Sequence, residues 1–145
     1  MPPPQAKTIV IADDFEEFRW FVRSKLRGKE FHVVAEASDG QEAVTKVAEL
    51  QPDLVLLDIA MPNLNGLEAA VQIRFVAPKT RILFISQTTD PDVVQSVMRD
   101  GAAGYVCKSK SSHQLVPAIE AALEGRKFVD LECVRNNRES LRRSP

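Results

Sequence analysis

Four short apolar runs in this chain each end on a polar residue, two on aspartate, one on serine and one on lysine. Ile9-Val10-Ile11-Ala12 runs into Asp13-Asp14, and Leu54-Val55-Leu56-Leu57 runs into Asp58. Ile82-Leu83-Phe84-Ile85 ends on Ser86, and Tyr105-Val106-Cys107 ends on Lys108. In an open parallel sheet, ligands and chemistry gather at the carboxyl ends of the strands. If the four runs are neighbouring strands, three carboxylates, a hydroxyl and an ammonium converge on one place. Three carboxylates in one pocket repel one another and call for a cation. Mg²⁺ suits them, since it prefers oxygen ligands and keeps several of its waters. A carboxylate beside such a cation can attack a phosphoryl group and form an acyl phosphate. The cation and Lys108 would neutralise the phosphoryl oxygens, and Ser86 would donate a hydrogen bond to them.

Each residue alone also has a plainer reading. Asp13 or Asp14 can cap a helix, and Asp58 can cap the turn before Pro62. A strand-end serine often bonds local backbone, and a lone lysine is usually a solvated charge. The set is specific because every role in one phosphoryl transfer is filled once.

The elements that must position these residues follow from hydrophobic period. Apolar runs alternate with helix-period segments, which is the pattern of βαβ units and a parallel sheet. Strands are expected at Lys7–Ala12, Phe31–Ala37, Leu54–Leu57, Arg81–Ile85 and Tyr105–Cys107. Leu54 to Leu57 is apolar at every position, as in a strand covered on both faces. The first helix carries Phe15, Phe18, Phe21, Val22 and Leu26 at helical spacing, with Asp13 or Asp14 as its expected cap. The second is expected over Glu42–Leu50 after the turn Asp39-Gly40, and the third over Leu67–Val76, closed by Pro78. Asp90 should cap the fourth, with Pro91 at its first position. The fifth should begin near Ser111, with Gln114 completing a capping box, and end at Gly125 as a C′ glycine. Pro117 then lies inside it, predicting a later start or a bend. The economical fold is a flavodoxin-like (βα)5 doubly wound, five-stranded parallel sheet with right-handed crossovers.

At 145 residues the chain is one ordinary domain with a little to spare. No apolar stretch approaches the roughly 18 residues of a membrane span, and the start lacks the features of a signal peptide. Cys107 and Cys133 have no metal-ligand spacing and read as ordinary thiols. A cytoplasmic location and no membrane partner are the expectation. Charge is uneven: residues 1–125 carry a net −4, and residues 126–145 a net +3. The expected layout is therefore a domain over 1–125 beginning with a Pro-rich arm at 1–5, then a basic extension or linker over 126–145. Arg135, Arg138, Arg142 and Arg143 in that tail leave a nucleic-acid arm open, with a solvated extension the plainer reading.

The stretch from Asp58 through Ala60, Met61 and Pro62 to Gly66 and Leu67 resembles the phosphorylation loop of bacterial response-regulator receiver domains. Asp13-Asp14, Ser86 and Gly104-Tyr105-Val106-Cys107-Lys108 fall at that family's other signature positions, so the resemblance covers about residues 6–125. Detail such as Gly101-Ala102-Ala103-Gly104-Tyr105 is similar to receivers of the subfamily that carries a LuxR-type helix-turn-helix. The resemblance implies a phosphorelay receiver that accepts a phosphoryl group from a sensor histidine kinase on Asp58. It implies Mg²⁺ held by Asp14, Asp58 and the backbone carbonyl of Ala60, with Asp13 helping through water. It implies that Lys108 contacts the phosphoryl oxygens, that Ser86 and Tyr105 switch together, and that the fourth-helix, fifth-strand and fifth-helix face carries the response.

Three positions depart from the family pattern. Gln87 is longer than the small residue usual there and narrows the approach to Asp58. Ala60 lacks the polar side chain that some receivers use on the hydrolytic water, and Ser109 replaces a common proline and predicts a trans peptide or strain. The chain is expected to be a stand-alone receiver or the receiver part of a transcription regulator, touching DNA only through a domain it does not contain. Homodimerisation stays open, and no turnover enzyme is expected beyond self-catalysed phosphoryl acceptance and slow autodephosphorylation. The rival readings are a phosphorylation-independent interaction domain and an aspartyl-nucleophile phosphatase. The second would ordinarily need an acid where Ala60 stands.

Overall fold

The computed structural model describes residues 6–87 and 90–130. The Pro-rich arm and Cys133 with the arginines of the tail lie outside the described residues. The five expected strands are all present: β1 (Lys7–Ala12), β2 (Phe31–Ala37), β3 (Leu54–Asp58), β4 (Arg81–Ser86) and β5 (Gly104–Cys107). A sixth, β6 (Phe128–Val129), follows the last helix and pairs with Gly104 and Tyr105 of β5. All pairings are parallel, in the order β2-β1-β3-β4-β5-β6. A two-residue strand leaves no period in a sequence, so β6 was not foreseeable from pattern. The space it uses is visible at Gly104, where a Cβ would stand 2.8 Å from the Phe128 carbonyl oxygen.

Five α-helices connect the strands: α1 (Glu16–Leu26), α2 (Gly40–Leu50), α3 (Gly66–Val76), α4 (Pro91–Arg99) and α5 (Ser111–Leu123). Val22 and Leu26 of α1 pack with Leu115, Ala118 and Ile119 of α5 on one face of the sheet. Residues of α2, α3 and α4 pack on the other face. Strand β3 shows why its run is apolar at every position. Leu54 and Leu56 join the first core and Val55 and Leu57 the second, all fully buried. Each such side chain stabilises the fold by roughly 1.5–3 kcal/mol relative to exposure.

Three helix starts carry a side-chain cap, with Asp90 as expected and Asp39 and Asn65 in addition. The Asp39 side chain accepts from the Glu42 N–H (2.7 Å), Asn65 from Glu68 (2.9 Å) and Asp90 from Asp92 (3.0 Å). Pro91 occupies the first turn of α4. Two expectations fail. The cap of α1 is Phe15, with no side-chain hydrogen bond, and neither Asp13 nor Asp14 fills that place. Asp13 instead accepts from the Phe15 N–H (2.8 Å), two residues too early to be the cap. The capping box of α5 is also absent, because Gln114 reaches Asp130 (2.8 Å) and Ser111 donates to the Lys108 carbonyl (2.7 Å). A single 3₁₀ turn, Lys108–Lys110, precedes α5, and the Ser111 N–H closes it on the Lys108 carbonyl.

At the other end of α5, Gly125 is the expected C′ glycine. The Gly125 N–H bonds Ala122 (3.1 Å) and the Arg126 N–H bonds Ala121 (2.8 Å), which is the Schellman pattern. Pro117 lies inside a helix that starts where expected, on its exposed side, where water can reach the carbonyl left without a partner. The peptide after Lys108 is trans, as expected.

Two glycines lock the loop that follows β3. A Cβ on Gly66 would fall 2.0 Å from the Asp58 carbonyl oxygen, and one on Gly40 would fall 1.9 Å from that of Leu64. The Gly66 N–H also bonds the Ile59 carbonyl (2.7 Å). Residues 58–66 are thereby folded back against the strand that launches them. Backbone cannot yield to such overlaps cheaply, so Gly66→Ala should lower unfolding free energy by at least about 2 kcal/mol in urea titrations. An unchanged midpoint would contradict the close approach.

Candidate functional site

Strand register brings the polar residues together. Ala12 pairs with Leu57, so the residues that follow them, Asp13 and Asp58, stand side by side at the sheet's carboxyl edge. Asp58 pairs with Ile85, and Ser86 pairs with Cys107, the residue before Lys108. The carboxylates of Asp13, Asp14 and Asp58 each offer an oxygen, and these lie within 4.8 Å of one another. Asp13 and Asp58 are buried, whereas Asp14 faces solvent and leaves the cluster open on one side.

One ammonium answers these charges. Lys108 Nζ lies 2.7 Å from Asp13 Oδ2 and 3.4 Å from Asp58 Oδ2. The shorter contact is an ion pair without hydrogen-bond alignment, so Asp13 Oδ2 is a buried acceptor with no hydrogen bond. Among the described residues, Asp58 Oδ1 accepts a long bond from the Ala60 N–H (3.3 Å). The donor set is all oxygen, crowded, under-neutralised and open to water. That fits a hard divalent cation, and the acidic pocket of Asp13, Asp14 and Asp58 could bind a metal.

The same imbalance sets the chemistry of Asp58. Burial first, then the neighbouring Asp13 charge, push its carboxyl up from 3.8 to about 6, against the opposing pull of Lys108. A buried carboxylate poised this way is a reactive-site signature.

The further sequence candidates lie in or next to the strands that carry this cluster. Ser86 is buried at the end of β4, and Tyr105 is buried within β5. Ala60 and Gln87 are both exposed, on the loop after β3 and just beyond β4 respectively. Three supports were not foreseen. Gly66 clamps the loop behind Asp58. Arg19 of α1 donates to the Asp13 carbonyl (2.6 Å) and, through Nε, to Glu36 of β2 (2.9 Å), with Arg23 also bonding Glu36 (2.5 Å). Phe15 and Phe18 present their ring faces to Lys108, with centroids 5.5 and 4.7 Å from Nζ. A salient Arg–Glu pair cannot be matched across elements from sequence, and the aromatic spacing on α1 reads equally as core.

A protein-family model described as the response regulator receiver domain matches residues 9–120. The chain is 35% identical over 136 residues to the transcriptional regulatory protein DegU of Brevibacillus brevis, covering 93% of this chain and 58% of that protein. It is 38% identical over 126 residues to the oxygen regulatory protein NreC of Staphylococcus aureus, covering 86% of this chain and 58% of that one. The chain thus spans 58% of the length of these curated relatives. Among solved structures, a LuxR-family two-component response regulator from Aurantimonas superposes with a TM-score of 0.84 at 33% identity. That match covers 92% of this chain and 99% of the other. Among the described residues, no helix is long and apolar enough to cross a membrane.

The raised Asp58 pKa has a signed consequence for stability. The folded chain holds this proton more tightly than the unfolded chain does. Stability therefore declines as pH rises from about 4 to about 6, and the cost is fully present above that window. It amounts to about 3 kcal/mol at most. In chelator at neutral pH, Asp58→Asn should raise the unfolding free energy by about 1–3 kcal/mol and flatten the profile between those pH values. A variant less stable than wild type would contradict the burial of an ionised, under-neutralised group.

Proposed function

The chain belongs to the response regulator receiver family, and from that premise we propose that it is a phosphoacceptor switch with Asp58 as the nucleophile. The observation that carries this reading is the placement of Asp58. Its carboxylate is buried at a strand end, between a second acid and the Lys108 ammonium. A carboxylate oxygen of Asp58 attacks the phosphorus of a phosphohistidine or a small acyl phosphate. The bond from phosphorus to the leaving group breaks, and its electron pair departs with that group. The product is an acyl phosphate on Asp58.

Asp14, Asp58 and the Ala60 carbonyl are the proposed holders of Mg²⁺, with Asp13 acting through water. When bound, the ion supplies charge neutralisation for the carboxylates and for the transferring phosphoryl oxygens. Lys108 stabilises the same oxygens from the other side. Its contact to Asp58 (3.4 Å) is longer than its contact to Asp13 (2.7 Å), so it can be drawn toward a new anion on Asp58. Ser86, at the end of the adjacent strand, donates to a phosphoryl oxygen. Tyr105 follows it, and the α4–β5–α5 face carries the response. This is a population shift, sized by how much better the phosphoryl group contacts one state than the other.

The partner in this reading is a sensor histidine kinase, and one phosphoryl group is accepted per chain without multiple turnover. Residues 1–125 are the receiver in this reading, and the basic stretch 126–145 follows it in sequence, its described first residues adding β6 to the sheet. The relatives named as transcriptional and oxygen regulatory proteins support an output through a segment outside this chain, and DNA contact would belong there. A homodimer and a cytoplasmic location accord with the same reading. Ala60 and Gln87 flank the approach to Asp58 and set access for hydrolytic water, hence the lifetime of the acyl phosphate.

Incubation with acetyl phosphate and Mg²⁺, followed by intact mass measurement, tests the assignment. Wild type should gain one phosphoryl group, and Asp58→Asn none. No gain, or an equal gain in the variant, would refute it. Release of inorganic phosphate over many turnovers would point instead to an aspartyl-nucleophile phosphatase.

A further inference from the structure

Lys108 has more neighbours than its two carboxylates. Its Nζ stands 4.7 Å from the Phe18 ring centroid and 5.5 Å from that of Phe15, both within cation–π range. Phe18 is half-buried, and its ring also packs against Phe21 with centroids 5.7 Å apart. Phe15 is harder to explain as core, because it is 55% exposed. It also occupies the cap position of α1, where Ser, Thr, Asp or Asn is preferred, and makes no side-chain cap bond there. Neither burial nor capping accounts for an aromatic ring at this place. Its position is nonetheless held, because the Phe15 N–H is bonded to Asp13 Oδ1 (2.8 Å).

We propose that Phe15 and Phe18 form an aromatic cradle that keeps the Lys108 ammonium beside Asp58 when a cation enters the carboxylate cluster. The inference rests on the phosphoacceptor reading and adds positioning residues to it. Lys108 leans on Asp13 Oδ2, the buried oxygen that makes no hydrogen bond. An entering cation competes for the negative charge that holds the ammonium there. A lysine held only by carboxylates would then gain by swinging into water. Ring faces attract an ammonium without supplying a ligand that a hard metal ion would take. The cradle therefore remains available when the carboxylates are engaged. Both rings act through Lys108 and touch no reacting atom.

The test uses the full chain with one ring changed at a time. Replacing Phe18, or Phe15, with pentafluorophenylalanine keeps an aromatic shape but withdraws the negative charge from the ring face. Phe15→Leu and Phe18→Leu remove the ring, and Phe18→Tyr restores it. Two readouts are compared in saturating Mg²⁺: the Lys108 ε-methylene proton shifts by NMR, and the rate of phosphoryl gain from acetyl phosphate. In wild type the ε-methylene protons should be shifted upfield by the rings, and the shift should be lost in the leucine variants. Each fluorinated or leucine variant should be phosphorylated roughly two- to fivefold more slowly. Phe18→Tyr should recover the wild-type rate, a rescue that loss of packing alone would not separate from the fluorinated form. A wild type that is phosphorylated, with unshifted Lys108 protons or with fluorinated variants of equal rate, overturns the cradle alone. A wild type that gains no phosphoryl group overturns the phosphoacceptor reading and the cradle with it.

Discussion

Negative charge is concentrated at one edge of the sheet beyond what the fold can neutralise. Asp13 and Asp58 are buried there with Asp14 at the rim, and among the described residues Lys108 is the ammonium in contact with the buried pair. Such an arrangement costs stability, as the raised Asp58 pKa shows. Natural proteins tolerate costs of this kind where a ligand relieves them. The unfilled acceptor on Asp13 and the weakly satisfied Asp58 are two expressions of one deficit of positive charge.

The rest of the molecule can be understood as what keeps that edge from relaxing. Strand β3 is buried on both faces, so Asp58 cannot retreat along it. Gly66 presses the following loop onto the Asp58 carbonyl, and Gly40 anchors the same loop at Leu64. Arg19 ties the Asp13 carbonyl to Glu36 on the neighbouring strand, and Lys46 holds the Glu36 carbonyl from α2. These contacts come from both faces of the sheet. A change at the carboxylates is therefore felt by packed elements that have discrete positions, which is the condition for a switch.

Much of this was readable in the chain. The four strand-end residues share an edge because parallel register is set by hydrophobic runs that the sequence displays openly. Asp90 followed by Pro91 announced the cap of α4, whereas Asp39 and Asn65, which cap α2 and α3, read as turn and loop. The misreadings share a physical cause. Asp13 and Asp14 have the right chemistry for a helix cap, but Asp13 lies two residues before Phe15, and that spacing decided against it. Ser111 and Gln114 had the spacing of a capping box, yet each found a tertiary partner, Lys108 and Asp130 respectively. Gly66 read as loop punctuation, since a close backbone approach involves a neighbour that sequence does not show. Phe15 and Phe18 read as the buried stripe of α1, and only the fold reveals an ammonium over their rings.

The account stands or falls on whether the carboxylate edge is a cation site before any phosphoryl group arrives. Calorimetric titration of the unphosphorylated chain with Mg²⁺ asks this directly. The account predicts saturable binding of one ion per chain, abolished by Asp58→Ala, with proton release that grows as pH is lowered toward the Asp58 pKa near 6. No saturable heat, or binding that survives Asp58→Ala with undiminished affinity, would contradict it.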